Sequence, residues 1–401
     1  MRGKKNDPNK FIGRPVWAEV SVSALADNYR SIRDYINPTS EKRITARKVL
    51  SIVKGNGYGH GGAQVAKTLE KVGSDWLGVA SAGEGIEIRK NGVCTPILVL
   101  GGFWRGEEKN FLEYDLTPAV HRCEQLATFE AAAARLRKKH VPIHVKVDTG
   151  MNRLGIAPSD AHCFARQLAR CPHLELGGVF THFASSEVLN DSPSGIQTRL
   201  QTERFYTAVD RLRALKVDTG LLHLANSAAI AARPDTWADM VRPGAILYGY
   251  HPGLDPVERR IEIESKLPLR PVMSLRARLI GLRTVAPGDS VGYNASWVAQ
   301  RPSKTAVMSA GYGDGIHRSL GNRGCAYIRG QRAPMIGIIS MDVTLLDVTD
   351  VPDVAIGDVA TVYGTDGESV YPANVIARNI GTVTSDLLCA VSQRVPRFYL
   401  P

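Results

Sequence analysis

The stretch VLSIVKGNGYGHGG (49–62) ends an apolar run on a lysine and continues into a loop of alternating glycines. Lys54 therefore stands at the exit of a strand, where barrel enzymes build their active sites. Other polar residues fall at matching places. Lys146 and Asp148 close PIHVKVD, and Arg153 follows in DTGMNRLG. His182 closes GGVFTHF, Asn226 and Ser227 close LLHLANS, and Arg242, Pro243 and Gly244 open VRPGAILYGY. Alone, a lysine is usually a solvated charge and a histidine a satisfied core residue. Convergence from separate strand ends on one mouth is what points to chemistry. A second set lies further on: Tyr293 in SVGYNASW, Tyr312 and Asp314 in GYGDG, Met341 and Asp342 in IISMDVTLLDV.

Other chemistries fit the sequence less well. Gly57, Gly59 and Gly62 satisfy GxGxxG after a strand and before a helix, with Asp75 and Glu84 downstream. That is the context of a dinucleotide-binding loop. Against it stand Tyr58 and His60, whose bulk would crowd a pyrophosphate laid on bare backbone. There is no GxSxG elbow, no HExxH and no GxxxxGK[ST] loop. His140 and His144 are four apart, but Pro142 breaks any shared helical face. DVTDVPDVAIGD lacks EF-hand spacing, so no metal site is expected.

The elements that position these residues follow from the hydropathy pattern. Eight short apolar runs lie between residues 49 and 250: VLSIVK, DWLGVA, PILVLG, TPAV, PIHVKVD, LELGGVFTHF, LLHLANS and VRPGAILYGY. Amphipathic stretches separate them; Val65 and Leu69, Leu126 and Phe129, and Phe205, Val209 and Leu212 each share a helical face. Eight runs alternating with helices predict a parallel α/β sheet, and eight strands close a (β/α)8 TIM-type barrel. An open doubly wound sheet fits the same pattern. After about residue 265, strand-like pieces follow turn signals closely, which predicts a mostly antiparallel β domain. The expected layout is a flexible tail over 1–13, the barrel over 14–265 and the β domain over 266–401.

The 401 residues are 44% hydrophobic and 22% charged, an ordinary globular composition. A net charge of +11 would permit nucleic-acid binding, but the basic residues are scattered, so no nucleic-acid partner is expected. No run is long enough to span a membrane, and the basic N-terminus lacks the apolar core of a secretion signal. Six cysteines without a CxxC pair read as reduced thiols of a cytoplasmic protein.

At this point the motifs resemble those of the alanine racemase family. VKGNGYGHG resembles its cofactor-lysine motif. WAEVSVSALADNYRSIR, VKVDTGMNRLG, THFASSE, LHLANSAA, VRPGAILYGY, VGYNASW, GYGDG, SMD and RVPR follow in the family's order, from about residue 14 to the end. The resemblance implies a barrel followed by a β domain in a head-to-tail homodimer with shared active sites. It implies that Lys54 holds pyridoxal 5'-phosphate. Tyr58, Ser227, the backbone at Gly244 and Ala245, and Asn226 would bind the phosphate. His182 would lie beside the pyridine ring, Arg242 at its nitrogen, and Arg153 at the phenolic oxygen and the substrate carboxylate. Lys146 is a position carbamylated in some relatives. Tyr293 and Met341 would come from the partner subunit.

The implied reaction interconverts L- and D-alanine, the latter a peptidoglycan precursor; biosynthetic and catabolic roles both remain open. It needs two acid/base groups on opposite faces of the substrate, here Lys54 and Tyr293. A guanidinium does not release its proton, so Arg242 should leave the pyridine nitrogen neutral and restrain side reactions. Departures from the family's pattern bear on specificity. Gln393 stands before RVPR where a tyrosine is usual, Asn294 follows the tyrosine where glycine is common, and Ser340 replaces a frequent cysteine. Gln393, with Tyr312 and Asp342, would shape the entrance. Serine or broad-spectrum racemisation, a pyridoxal-phosphate decarboxylase and a non-catalytic binder of the cofactor remain as alternatives.

Overall fold

The computed structural model describes residues 13–39 and 44–401. The expected tail over 1–13 thus falls almost wholly outside the described residues. The chain forms two compact units: Ala26–Gly57 with Gly62–Leu269, and the N-terminal segment to Leu25 with Tyr58–Gly61 and Arg270–Pro401.

The first strand, β1 (Val16–Ser21), belongs to the second of these units. The other unit is built on β2 (Lys48–Ile52), β3 (Trp76–Val79), β4 (Ile97–Val99), β5 (Leu116–Val120), β6 (Val141–Lys146), β7 (Leu174–Phe180), β8 (Leu221–His223) and β9 (Met240–Val241). These form one eight-stranded sheet in the order β8-β7-β6-β5-β4-β3-β2-β9, each strand parallel to its neighbours. The ends of that order meet: Asp239 N donates to Leu222 O (3.0 Å) and Arg242 N to Ala225 O (3.0 Å), closing the barrel. Val49, Leu50, Leu77, Val79, Ile97, Val99, Ile143, Val145 and Val179 are fully or almost fully buried. Helices cover the outer face and side chains fill the interior, which is why these strands read as continuous apolar runs rather than alternating ones.

The β unit continues with β10 (Met273–Val285), β11 (Ser290–Val291), β12 (Trp297–Val298), β13 (Ser303–Met308), β14 (Cys325–Ile328), β15 (Gln331–Ile336), β16 (Thr344–Asp347), β17 (Val359–Asp366), β18 (Ser369–Tyr371) and β19 (Arg397–Leu400). A nine-stranded sheet runs β18-β17-β14-β15-β16-β13-β10-β1-β19, and a further pairing of β17 with β10 closes its central strands into a small barrel. β10 manages this because its register shifts twice, between Leu275 and Arg276 and between Leu279 and Gly281. Such irregularities bend a strand so that it can serve two neighbours.

Two details differ from the sequence-based layout. Residues 16–21, expected in the barrel, pair antiparallel with β10 and parallel with β19. Val16, Trp17, Ala18 and Val20 are buried in this central position, so the segment carries no pattern that would separate it from a barrel strand. The eighth barrel strand is also much shorter than VRPGAILYGY. It stops at Val241, and Ala245–Tyr248 coil into a 3-10 turn after Pro243 and Gly244, where Pro243 has no N–H to extend a ladder.

Candidate active site

The polar residues expected at the barrel mouth do lie at C-terminal strand ends. Lys54 is two residues past β2, Lys146 ends β6, His182 is two past β7, Asn226 is three past β8, and Arg242 directly follows β9. Arg153 lies on the loop after β6, which is pinned by the bridge Val147–Ile156 and by Asp148, whose carboxylate accepts from Gly150, Met151 and Asn152 N–H at 3.0–3.1 Å.

Arg242 is the best-held member. It is buried, and its terminal nitrogens donate to three backbone carbonyls: His223 O (2.6 Å), Thr181 O (2.6 Å) and Leu224 O (2.8 Å). NH1 also approaches His223 Nδ1 (3.3 Å), and NH2 approaches His182 Nδ1 (3.4 Å). Among the described residues nothing bonds its Nε–H. Since a guanidinium only donates, His223 Nδ1 accepts, and His223 Nε2–H is left to donate to His144 Nδ1 (2.9 Å). Burial holds both imidazoles neutral, His144 at about 3 and His223 well below the usual range.

The electrostatics of the mouth are one-sided. Burial pushes Lys146 down to about 8, and Arg153, Arg242 and Lys54 push the same way against the nearby Asp148. His182 is held well below its ordinary value by burial, then by Arg242, Lys146, Arg153 and Lys54. Four cations thus face one carboxylate already engaged by three backbone N–H groups. That donor set is complementary to an anionic ligand.

Two short helices begin at the same rim. Ser227–Ala232 is capped by Asn226, whose Oδ1 accepts from Ala229 N (3.1 Å) and Ser186 Oγ (2.7 Å). Asn226 is therefore occupied as a cap. Ser227 Oγ accepts from Gly244 N (2.9 Å), joining this helix to the 3-10 turn that starts at Ala245. The first N–H groups of such turns have no intrahelical partner and favour phosphate.

Lys54 enters a left-handed turn. Gly55 (φ 64°), Asn56 (φ 54°) and Gly57 (φ 63°) all have positive φ, followed by Tyr58 (φ 51°). Tyr58 packs with the β unit, where burial and the neighbouring Cys389 raise its phenol to about 12.

In the β unit, Tyr293, Asn294, Tyr312, Arg318, Ser340 and Met341 border a cleft of about 440 Å³. Tyr293 is 66% exposed and Met341 53%. Asn294 holds φ 58° beside it, a conformation asparagine tolerates better than most residues. Beneath the cleft, the fully buried Asp314 accepts from Arg14 NH1 (2.6 Å), Arg394 Nε (2.9 Å) and Gly311 N (2.8 Å). Arg394 also reaches Asp342 Oδ1 (2.8 Å) and Met341 O (3.2 Å), so the exposed Gln393 neighbours the arginine that fixes Met341.

No motif in the sequence marks His223; His144 reads there only as half of a metal pair that Pro142 excludes, and Glu84 only as an acid downstream of the glycines. His144 and Lys146 are two apart on β6, and that same-face spacing was the available signal.

Comparison with known proteins accounts for the ordered motifs. Residues 20–252 match the family model "Alanine racemase, N-terminal domain", and residues 272–399 match "Alanine racemase, C-terminal domain". The chain belongs to the alanine racemase family. It is 40% identical over 395 residues to an alanine racemase of Geobacter sp. (strain M21), covering 96% of this chain and 99% of that one. It is 36% identical over 393 residues to one from Halothermothrix orenii, covering 98% of each. Among solved structures, an alanine racemase from Bartonella henselae with covalently bound pyridoxal phosphate superposes with a TM-score of 0.80 at 27% identity, covering 97% of this chain and all (100%) of that one.

Proposed function

We propose that this racemase interconverts L- and D-alanine with pyridoxal 5'-phosphate held on Lys54, and that Lys54 and Tyr293 are its two acid/base groups. The observation that carries the reading is the mouth of four cations around Arg242, whose remaining N–H is unbonded. A phosphate suits the paired turns at Ser227 and Ala245, and an amino-acid carboxylate suits Arg153. Bound there, the cofactor supplies the electron sink that makes a Cα proton removable.

The chain's own residues do the rest. Arg242 is locked to three carbonyls, and its remaining Nε–H would donate to a pyridine nitrogen without surrendering a proton. His182, held neutral, would line the ring. Lys54 Nζ takes or returns the proton on one face and Tyr293 Oη on the other. Lys146, with its amine shifted toward neutrality, is a place for carbon dioxide to add and release a proton. The carbamate so formed would answer the cations of Arg153 and Arg242.

Tyr293 and Met341 are exposed in a cleft of the β unit, which fits delivery of both to the barrel of a second copy in a homodimer with shared sites. Tyr312, Asp342 and Gln393 would frame the entrance. Six free cysteines and the lack of any described helix able to cross a membrane are in keeping with a cytoplasmic enzyme making D-alanine for peptidoglycan.

The deciding experiment incubates cofactor-loaded protein with L-alanine in deuterated water. D-alanine carrying deuterium at Cα is the expected product. Alanine left L and protonated would remove the alanine assignment, and release of carbon dioxide would favour decarboxylation.

A further inference from the structure

Lys54 leaves β2 without any stiffness of its own. Gly55 and Gly57 flank Asn56, and glycine has the widest backbone freedom of any residue. Yet the three adopt one left-handed turn, with Asn56 and then Tyr58 in a conformation disfavoured for L-residues. A turn of this kind persists only where its surroundings over-determine it.

Four hydrogen bonds do so. Val53 N donates to Gly78 O (2.8 Å), which extends the pairing of β2 with β3 up to the residue before the lysine. Gly57 N donates to Val53 O (2.8 Å), and Asn56 Oδ1 accepts from Gly62 N (2.7 Å). The fourth is Gly55 N to Glu84 Oε1 (2.6 Å). The second oxygen of Glu84 accepts from Ala80 N (2.7 Å), at the residue after β3. One carboxylate therefore ties the peptide that follows Lys54 to the end of the adjacent strand. Both bonds are short, as expected for an ionised acceptor.

We propose that Glu84 is a positioning residue for Lys54, clamping the Gly55 N–H so that the lysine amine is presented in one direction at the barrel mouth; this rests on the reading of Lys54 as the cofactor lysine. Glu84 acts only through the backbone. Its two acceptors cannot both be replaced by glutamine, whose amide nitrogen would face an N–H donor.

A built-in comparison exists in the same unit. Glu70 likewise holds backbone N–H groups, those of Cys94 (2.6 Å) and Thr95 (2.8 Å), but it does so just before β4 begins, at the opposite end of the strands. Both bonds end on one oxygen, which glutamine would keep, so Glu70→Ala is the change that removes similar bonds at a distance from Lys54.

The test mixes cofactor-free protein with pyridoxal phosphate, quenches at intervals with borohydride, and maps the reduced lysine by peptide analysis. Amide exchange of the peptide containing Gly55 is followed in parallel. In the wild type the label should fall on Lys54. Glu84→Gln and Glu84→Ala should slow that labelling about 10- to 100-fold, the order expected of small misplacements, and should speed exchange at Gly55. Glu70→Ala should lose stability and leave both readouts unchanged. Labelling of Lys54 at the wild-type rate in both Glu84 variants overturns the proposal. So does equal slowing in Glu70→Ala, which would make the effect one of general stability. Label on another lysine in the wild type removes the reading of Lys54 itself, and the positioning role with it.

Discussion

Lys146 offers a perturbation whose size follows from the structure. Its side chain is 5% exposed and sits among Arg153, Arg242 and Lys54. Burial first, then those cations, bring its ammonium from 10.5 to about 8. Each tenfold loss of proton affinity is worth about 1.4 kcal/mol, so the charged form costs the fold about 3 kcal/mol, or about 2 once water at the mouth screens it. The folded value lies below the unfolded one. Between about 8 and 10.5 the unfolded chain binds more protons, so stability rises with pH across that window. Below about 8 the penalty is present in full. Lys146→Met keeps the apolar stem and removes the charge. In cofactor-free protein, with carbon dioxide excluded, the variant should be about 2 kcal/mol more stable than wild type near neutral pH. The gap should close toward pH 10.5. Urea unfolding at a series of pH values measures it. A variant no more stable than wild type at neutral pH, or a gap that ignores pH, would refute the reasoning. Adding bicarbonate supplies a second arm: with the carbamate proposed at Lys146, the wild type alone should gain stability, because the methionine variant has no amine there to take up carbon dioxide.

The other sites yield shorter expectations. Tyr293→Phe should retain cofactor loading while Cα exchange in deuterated water falls about 10²- to 10⁴-fold, the usual contribution of a general acid/base; an unchanged rate would remove Tyr293 from the chemistry. Asp314→Asn leaves Arg14 and Arg394 facing a neutral amide at a fully buried position. It should cost about 1 to 3 kcal/mol in thermal or urea unfolding, the range for a buried polar contact left without its acceptor, since the arginines themselves are part-exposed; a loss within measurement error would mean the arginines find other partners. Gln393→Tyr should narrow a rate panel over alanine, serine, lysine and arginine; an unaltered panel would place specificity elsewhere.

How legible this was in the sequence depended on what each residue bonds to. The barrel strands could be read because burial on both faces leaves runs such as PILVLG, and the mouth residues could be read because each falls just past such a run. The N-terminal strand could not be assigned. WAEVS is as buried in the β unit as a barrel strand is in its own sheet, and only its long-range pairing with β10 and β19 decides the matter. The eighth strand was overdrawn because ILY is apolar in a 3-10 turn for the same reason it would be in a strand: Ile246, Leu247 and Tyr248 are all buried.

Glu84 and His223 were missed for a different reason. Motif reading looks for side chains that need one another at fixed spacing, as paired acids or metal ligands do. Glu84 binds the N–H groups of Gly55 and Ala80, and Arg242 binds the carbonyls of Thr181, His223 and Leu224. Every residue but proline carries such a donor, and every residue carries such an acceptor, so the partner leaves no mark on the sequence. Residues that hold the backbone of a site are thus systematically harder to read than residues that perform its chemistry. Here the two classes meet at Lys54, the proposed cofactor lysine: it stands out by its place at a strand end, while the carboxylate that fixes its neighbour's N–H is visible only with β2 and β3 side by side.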